Sequence, residues 1–145
     1  MPESANSTGI SQVATVFVPV ADQERALEFY IKKLGFEKRA DFQYGGGSRW
    51  IEVAPPGSVI ALALVPPSEG KAARGDQTHC AFTTEDIEAE HAALRSRGVI
   101  VDDEIARKGK RRQGLVSVDA GIDDPVPPQF FFRDVDGNRF LIVEP

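Results

Sequence analysis

VATVFVPVADQERALEFYIKKLGF, residues 13–36, is the stretch whose reading decides the fold. Residues 13–20 are compact, apolar and rich in β-branched side chains, which predicts a buried strand. Pro19, near its end, predicts weak pairing there, because proline has no N–H to donate to a ladder. Asp22 follows as a good helix N-cap, and Ala26, Leu27, Tyr30, Ile31 and Leu34 recur on one helical face. Gly35 ends the helix. Beyond it come a strand at 36–44, a glycine turn at 45–47 and a strand at 49–53. Turn chemistry at Pro55, Pro56 and Gly57 then leads to a strand at 59–65, closed by Pro66 and Pro67.

After a polar linker at 68–76 the same grammar restarts. Residues 79–83 read as a strand, and Asp86 stands seven residues after His79, as Asp22 stands seven after Thr15. Ile87, His91 and Leu94 mark a helix face that Gly98 stops. Sliding Thr15 onto His79 places Leu27 on His91 and Tyr30 on Leu94, with the second helix about one residue shorter. Residues 100–105 read as a strand, and 130–133 and 139–143 as a hairpin across Asp136 and Gly137. Both halves thus read strand, helix, then three strands, an internal repeat in pattern. They differ mainly at 106–128, where 115–118 has the composition of a short extra strand; so long a connection suggests either a lid or a mobile segment.

Bulk properties narrow the function. The chain has 145 residues, enough for one domain with a real core: a flexible tail over 1–12, then a single domain over 13–145, with modules at about 13–67 and 77–145. A net charge of −5 argues against nucleic acid as a partner, and the one basic run, 107–112, is offset by Asp119, Asp123 and Asp124. No apolar run approaches the ~18 residues of a membrane span, and residues 1–9 carry no signal-peptide core. The single cysteine, Cys80, excludes an internal disulfide framework. A cytoplasmic location is expected.

The run from Val16 to Phe36, with Asp22, Phe29–Tyr30 and Leu34–Gly35–Phe36, resembles the first module of the vicinal oxygen chelate superfamily, which includes glyoxalase I, bleomycin-resistance proteins, extradiol dioxygenases and fosfomycin-resistance enzymes. His79 through Gly98 and the closing RDVDGN of 133–138 resemble its second module. The resemblance implies an α+β fold: paired βαβββ modules curled into a cup-shaped, partly open mixed barrel with helices outside. It also implies a homodimer. It does not single out one activity, since the scaffold carries several chemistries.

In metal-using members, four inward positions on the first and fourth strands of each module ligate a divalent cation. The register above carries those positions to Thr15, Ala61, His79 and Leu141. Of these only His79 is a good ligand, and a catalytic cation needs about three protein donors. The alternative is a shifted site that recruits Glu52. The expectation is therefore no metal and no cofactor.

Alternation counted from His79 puts Ala81 and Thr83 on its face, with Phe17 and Pro19 on the first strand, Val59 and Ala63 on the fourth, and Arg139 and Val143 beside Leu141. That is a largely apolar lining, suited either to an organic ligand or to a closed core. Thr15, Phe17, Trp50, Ala61, His79 and Leu141 are the candidate ligand-binding residues. His79 is the one candidate for acid–base work, or else a core histidine bonded to backbone. Trp50 can stack on a flat ligand while Arg49 forks onto an anionic group; the plainer alternative is a Trp covering the sheet with Arg49 in solvent. His91, on an apolar stripe, reads as packing, and Cys80 as a small buried hydrophobe. Of the consecutive Phe130, Phe131 and Phe132, at least one must face away from the others.

The sequence thus points to a metal-independent protein that binds a small organic molecule, similar to the bleomycin-resistance type. The alternative is a glyoxalase-like or dioxygenase-like enzyme, whether lyase, isomerase or ring-cleaving oxygenase.

Overall fold

The computed structural model describes residues 9–66, 78–107 and 127–145. The linker at 68–76, the extra strand considered at 115–118 and most of the expected N-terminal tail lie outside them, as does all of the basic run except Arg107.

The first unit runs β1 (Thr15–Pro19), α1 (Gln23–Glu28), β2 (Glu37–Tyr44), β3 (Ser48–Ala54) and β4 (Ala61–Val65). The second runs β5 (Thr78–Thr83), α2 (Ile87–Ser96), β6 (Ile100–Val101), β7 (Gln129–Arg133) and β8 (Arg139–Val143). Each unit makes a mixed four-stranded sheet, ordered β1-β4-β3-β2 and β5-β8-β7-β6, with the first strand parallel to the last and all other pairs antiparallel. The two sheets stay open; the described strands close no barrel. β6 keeps only two residues of the strand expected at 100–105. The chain leaves the ladder at Asp102, whose buried carboxylate accepts the Phe131 N–H at 3.0 Å.

Pro19 does not interrupt pairing as expected. It stays in register with Val65, and Val20 N–H donates to Val65 O at 2.7 Å. β1 is an edge strand, so the missing donor falls on its unpaired side.

Both helices start as the sequence indicates. Asp22 Oδ1 accepts from Glu24 and Arg25 N–H, and Asp86 Oδ1 from Ala89 N–H. Gly35 and Gly98 take φ of 76° and 82°, the left-handed conformation that ends a helix. The one-residue difference between the helices has a structural cause. Residues Phe29–Lys33 form a π-helical turn, in which Leu34 N–H reaches back five residues to Phe29 O. That wider turn absorbs the extra residue while Tyr30 stays fully buried.

One core joins the units. Val18, Ile51, Val53, Leu62 and Leu64 from the first sheet cluster with Phe130, Phe132, Phe140 and Ile142 from the second, under the apolar faces of both helices. Tyr30 meets Phe140 edge-on at 6.3 Å and Phe36 meets Phe82 at 5.3 Å, so rings from each unit interlock. Polar contacts reinforce the seam: Tyr30 OH donates to Asp134 Oδ2 at 2.6 Å, and Asn138 Nδ2 donates to Pro19 O at 2.9 Å. Lys33 and Arg97 each donate to the other's carbonyl.

Candidate functional site

With one face of each sheet packed against the helices, the opposite faces carry the candidate site. On the first sheet, Phe17, Ala63, Glu52 and Ala40 follow one another across the strands in register. Thr15 pairs with Ala61 one step away, and Trp50 with Phe42 on the other side. The β4 residues on this face are small: Ala61 and Ala63 are buried beneath their neighbours. Across that low strand Phe17 and Trp50 meet edge-on, with ring centroids 5.6 Å apart, and Tyr44 approaches Trp50 at 6.4 Å. Trp50 Nε1 donates to Glu52 Oε2 at 2.7 Å, which fixes the indole and leaves a carboxylate beside the rings. Phe17 remains 43% exposed and Phe42 55%, so this aromatic surface is open.

Arg49 lies on the other face of β3. Its guanidinium forks onto Asp41 at 2.8 Å through Nε and Nη2 and reaches Glu24 at 2.7 Å through Nη1. The bidentate geometry anticipated for a ligand is thus spent on the chain's own carboxylates. Those hydrogen bonds hold the Asp41 carboxyl well below the usual range, with Lys38 adding to the effect.

On the second sheet, Ala81 and Thr83 pair with Leu141 and Val143. Of the three phenylalanines, Phe130 and Phe132 enter the core and Phe131 faces the other way, with the Arg139 guanidinium 4.2 Å from its ring centre. Arg139 also donates to Thr78 Oγ1 at 2.8 Å.

His79 departs from simple alternation. The pairing slips between Thr78 and Ala81, so β5 spends one extra residue against β8. The register that set His79 beside Ala81 and Thr83 is corrected by this bulge. Its ring lies against the core residue Phe140 at 5.7 Å, and Nε2 meets Asn138 Oδ1 at 2.9 Å. The Asn138 amide nitrogen already donates to Pro19 O and Asp134 Oδ2, so its oxygen must accept, and His79 Nε2 carries the proton. Thr15, Phe17, Trp50 and Ala61 are brought together on one sheet, Leu141 lies on the other, and His79 turns toward the seam. His91 packs edge-on against Phe130 at 4.8 Å and donates to Asp102 O. Cys80 packs against the core, and burial pushes its thiol up to about 11.

The donor set does not suit a divalent cation. Thr15 is a neutral hydroxyl, Ala61 and Leu141 have no donor atom, the His79 Nε2 is engaged, and Glu52 is held by Trp50. Among the described residues, no group of three or more His, Cys, Asp or Glu side chains is arranged to hold a metal ion. The sequence marks Phe17 and Trp50 only as separate candidates, and neither their edge-on contact nor the Glu52–Trp50 bond was foreseen; for the bond, a spacing of two along a strand was the available signal. No helix among the described residues is long and apolar enough to cross a membrane.

Known proteins share this fold. TnmS3, an antibiotic binding protein from Streptomyces sp. CB03234, is 33% identical, with a TM-score of 0.71 over 96% of this chain and 99% of that one. A superfamily member from Sphaerobacter thermophilus DSM 20745 is 30% identical, with a TM-score of 0.72 over 94% and 98%. The protein YetH of Bacillus subtilis (strain 168) is 30% identical over 135 residues, 93% of this chain and 99% of its own. The family model matching residues 9–142 is that of the same group: the chain belongs to the Glyoxalase/Bleomycin resistance protein/Dioxygenase superfamily.

Proposed function

We propose that this protein is an intracellular, metal-independent binder of a flat organic molecule, which lies on the open face of the first sheet. One observation carries the reading: Phe17 and Trp50 meet above a floor of alanines, with Phe17 exposed and Trp50 half-buried. Flat rings offer contact area at little entropic cost, and Ala61 and Ala63 leave depth for a ligand. Glu52 adds a preference for a ligand bearing a donor or positive group at its rim. Thr15 supplies a hydroxyl at the far end of the face, and Leu141 lines the corresponding face of the second sheet. His79 serves as a positioning residue at the seam through Asn138. TnmS3, described as an antibiotic binding protein, supports binding over conversion.

The exposed rings of Phe42 and Tyr44, on the edge strand β2, would be covered if two chains met there, and we include a homodimer in the proposal. Titrating Trp50 fluorescence with a panel of polycyclic aromatic antibiotics tests the site. A saturable response that weakens about tenfold or more in Phe17→Ala is expected, since losing one buried ring contact costs ~1.5–3 kcal/mol. No saturable response to any planar ligand would overturn the reading, and turnover of a bound compound would favour an enzyme. Light scattering on a sizing column reads the dimer directly.

A further inference from the structure

On the helix side, away from the aromatic face, a cleft of about 150 Å³ lies at the seam, lined by residues of both units. We infer that this cleft is a second ligand site, built for a small primary arylalkylamine: one aromatic ring on a short tether ending in an ammonium group. The ring compartment is formed by Phe36 of the first unit and by Phe82, Phe132 and Leu94 of the second, with the Pro55–Pro56 turn as a further wall. Phe82 meets Phe36 edge-on at 5.3 Å and stacks with Phe132 at 6.2 Å, presenting both ring edges and ring faces. An apolar space of this volume admits a single benzene ring and little more.

The charge at the mouth selects the class. Glu90 is the one charged side chain among the described residues that line the cleft. It sits on α2 one turn before Leu94 and is half-buried, and its carboxylate has no side-chain partner among the described residues. Its neighbour Glu88, by contrast, is paired with Arg107 at 2.7 Å. A neutral apolar guest would strip water from that carboxylate and return nothing, whereas an ammonium donates to it while its ring fills the cleft. The phenylalanine faces favour the same positive charge. The Thr84 hydroxyl at the rim accepts from Asp86 N–H and offers a second polar contact. Occupancy would tie α2 and β5 to the start of β2, so the guest would brace the seam between the units.

The site is separable from the one proposed above, because Trp50 points to the opposite face of its sheet from the core residues Ile51 and Val53. The test is an amide-detected NMR titration of the full chain at pH 7 with 2-phenylethylamine, and in parallel with neutral 2-phenylethanol. Saturable shifts are expected at Phe36, Phe82, Glu90 and Leu94, with the Trp50 indole signal unmoved. Glu90→Gln should weaken the amine about tenfold, the order expected for losing a charge-assisted hydrogen bond, and leave 2-phenylethanol unchanged. Absence of saturable shifts at those amides, shifts centred on the Trp50 indole, or equal amine affinity in wild type and Glu90→Gln would each overturn the assignment.

Discussion

Replacing Tyr30 by Phe removes a single oxygen from the seam. The ring is fully buried and touches Phe29, Phe36 and Phe140, all contacts that Phe preserves. What is lost is the 2.6 Å hydrogen bond to Asp134 Oδ2. Bonds to charged acceptors contribute ~1.5–3 kcal/mol net. Oδ2 keeps Asn138 Nδ2 at 3.0 Å, and Oδ1 keeps the Asp136 and Asn138 N–H groups, so the carboxylate is not stranded. A destabilisation of about 2 kcal/mol is therefore expected. In urea, with a slope of ~2 kcal/mol/M, the midpoint should fall by ~1 M.

The same hydroxyl makes a second demand on the data. Burial, with the Asp134 charge next, raises the Tyr30 pKa well above its ordinary value. A folded-state pKa above the unfolded one means stability that is complete below the unfolded value of ~10 and drains away as pH rises toward the folded value. The slope is ~1.4 kcal/mol per pH unit. Tyr30→Phe lacks this term, so the stability gap between wild type and variant should narrow steadily above about pH 10. A loss under ~0.5 kcal/mol at neutral pH, or a gap that persists to about pH 11, would refute the bond to Asp134 as a source of stability.

Further outcomes follow from other sites. Arg49→Met should cost about 1 kcal/mol at pH 7, the scale of a partly exposed ion pair. In wild type the depressed Asp41 pKa contributes stability above the unfolded value of ~3.9, lost only as pH falls through the folded one. Carboxyl-carbon NMR should find Asp41 still ionised at about pH 3 in wild type and titrating closer to the ordinary value in Arg49→Met. The Cys80 thiol, pushed up to about 11 by burial, should react with iodoacetamide at pH 8 at least about a hundredfold more slowly than free cysteine, and normally once urea unfolds the chain. Rapid native-state alkylation would contradict its burial.

Much of the fold was legible along the chain because it is local. The Asp22 and Asp86 caps, the Gly35 and Gly98 stops and the apolar stripes act within a few residues of themselves. The candidate site was legible in part. Counting by twos puts Thr15 and Phe17 on one face of β1, but only the register of β4 and β3 beside it brings Ala61 and Trp50 onto that face. His79 could not be found that way, because a bulge depends on how β5 pairs with β8 and leaves no mark within β5 itself. Arg49 likewise looked free until β2 brought Asp41 within reach of its fork.

Taken alone, the order of residues determined the repeated strand–helix–strand plan, its helix limits and the scarcity of ligating side chains at the four positions the resemblance implies, since hydrophobic period, capping and donor chemistry are properties of short segments. Tertiary structure decided the rest: the π-helical turn that reconciles helices of unequal length, the Tyr30–Asp134–Asn138–His79 chain, and the cleft closed by Glu90. Asp134 lies 104 residues from Tyr30 and Asn138 lies 119 from Pro19. No local pattern encodes such a meeting; it exists only once two sheets share a core and buried polar groups must find their partners across it.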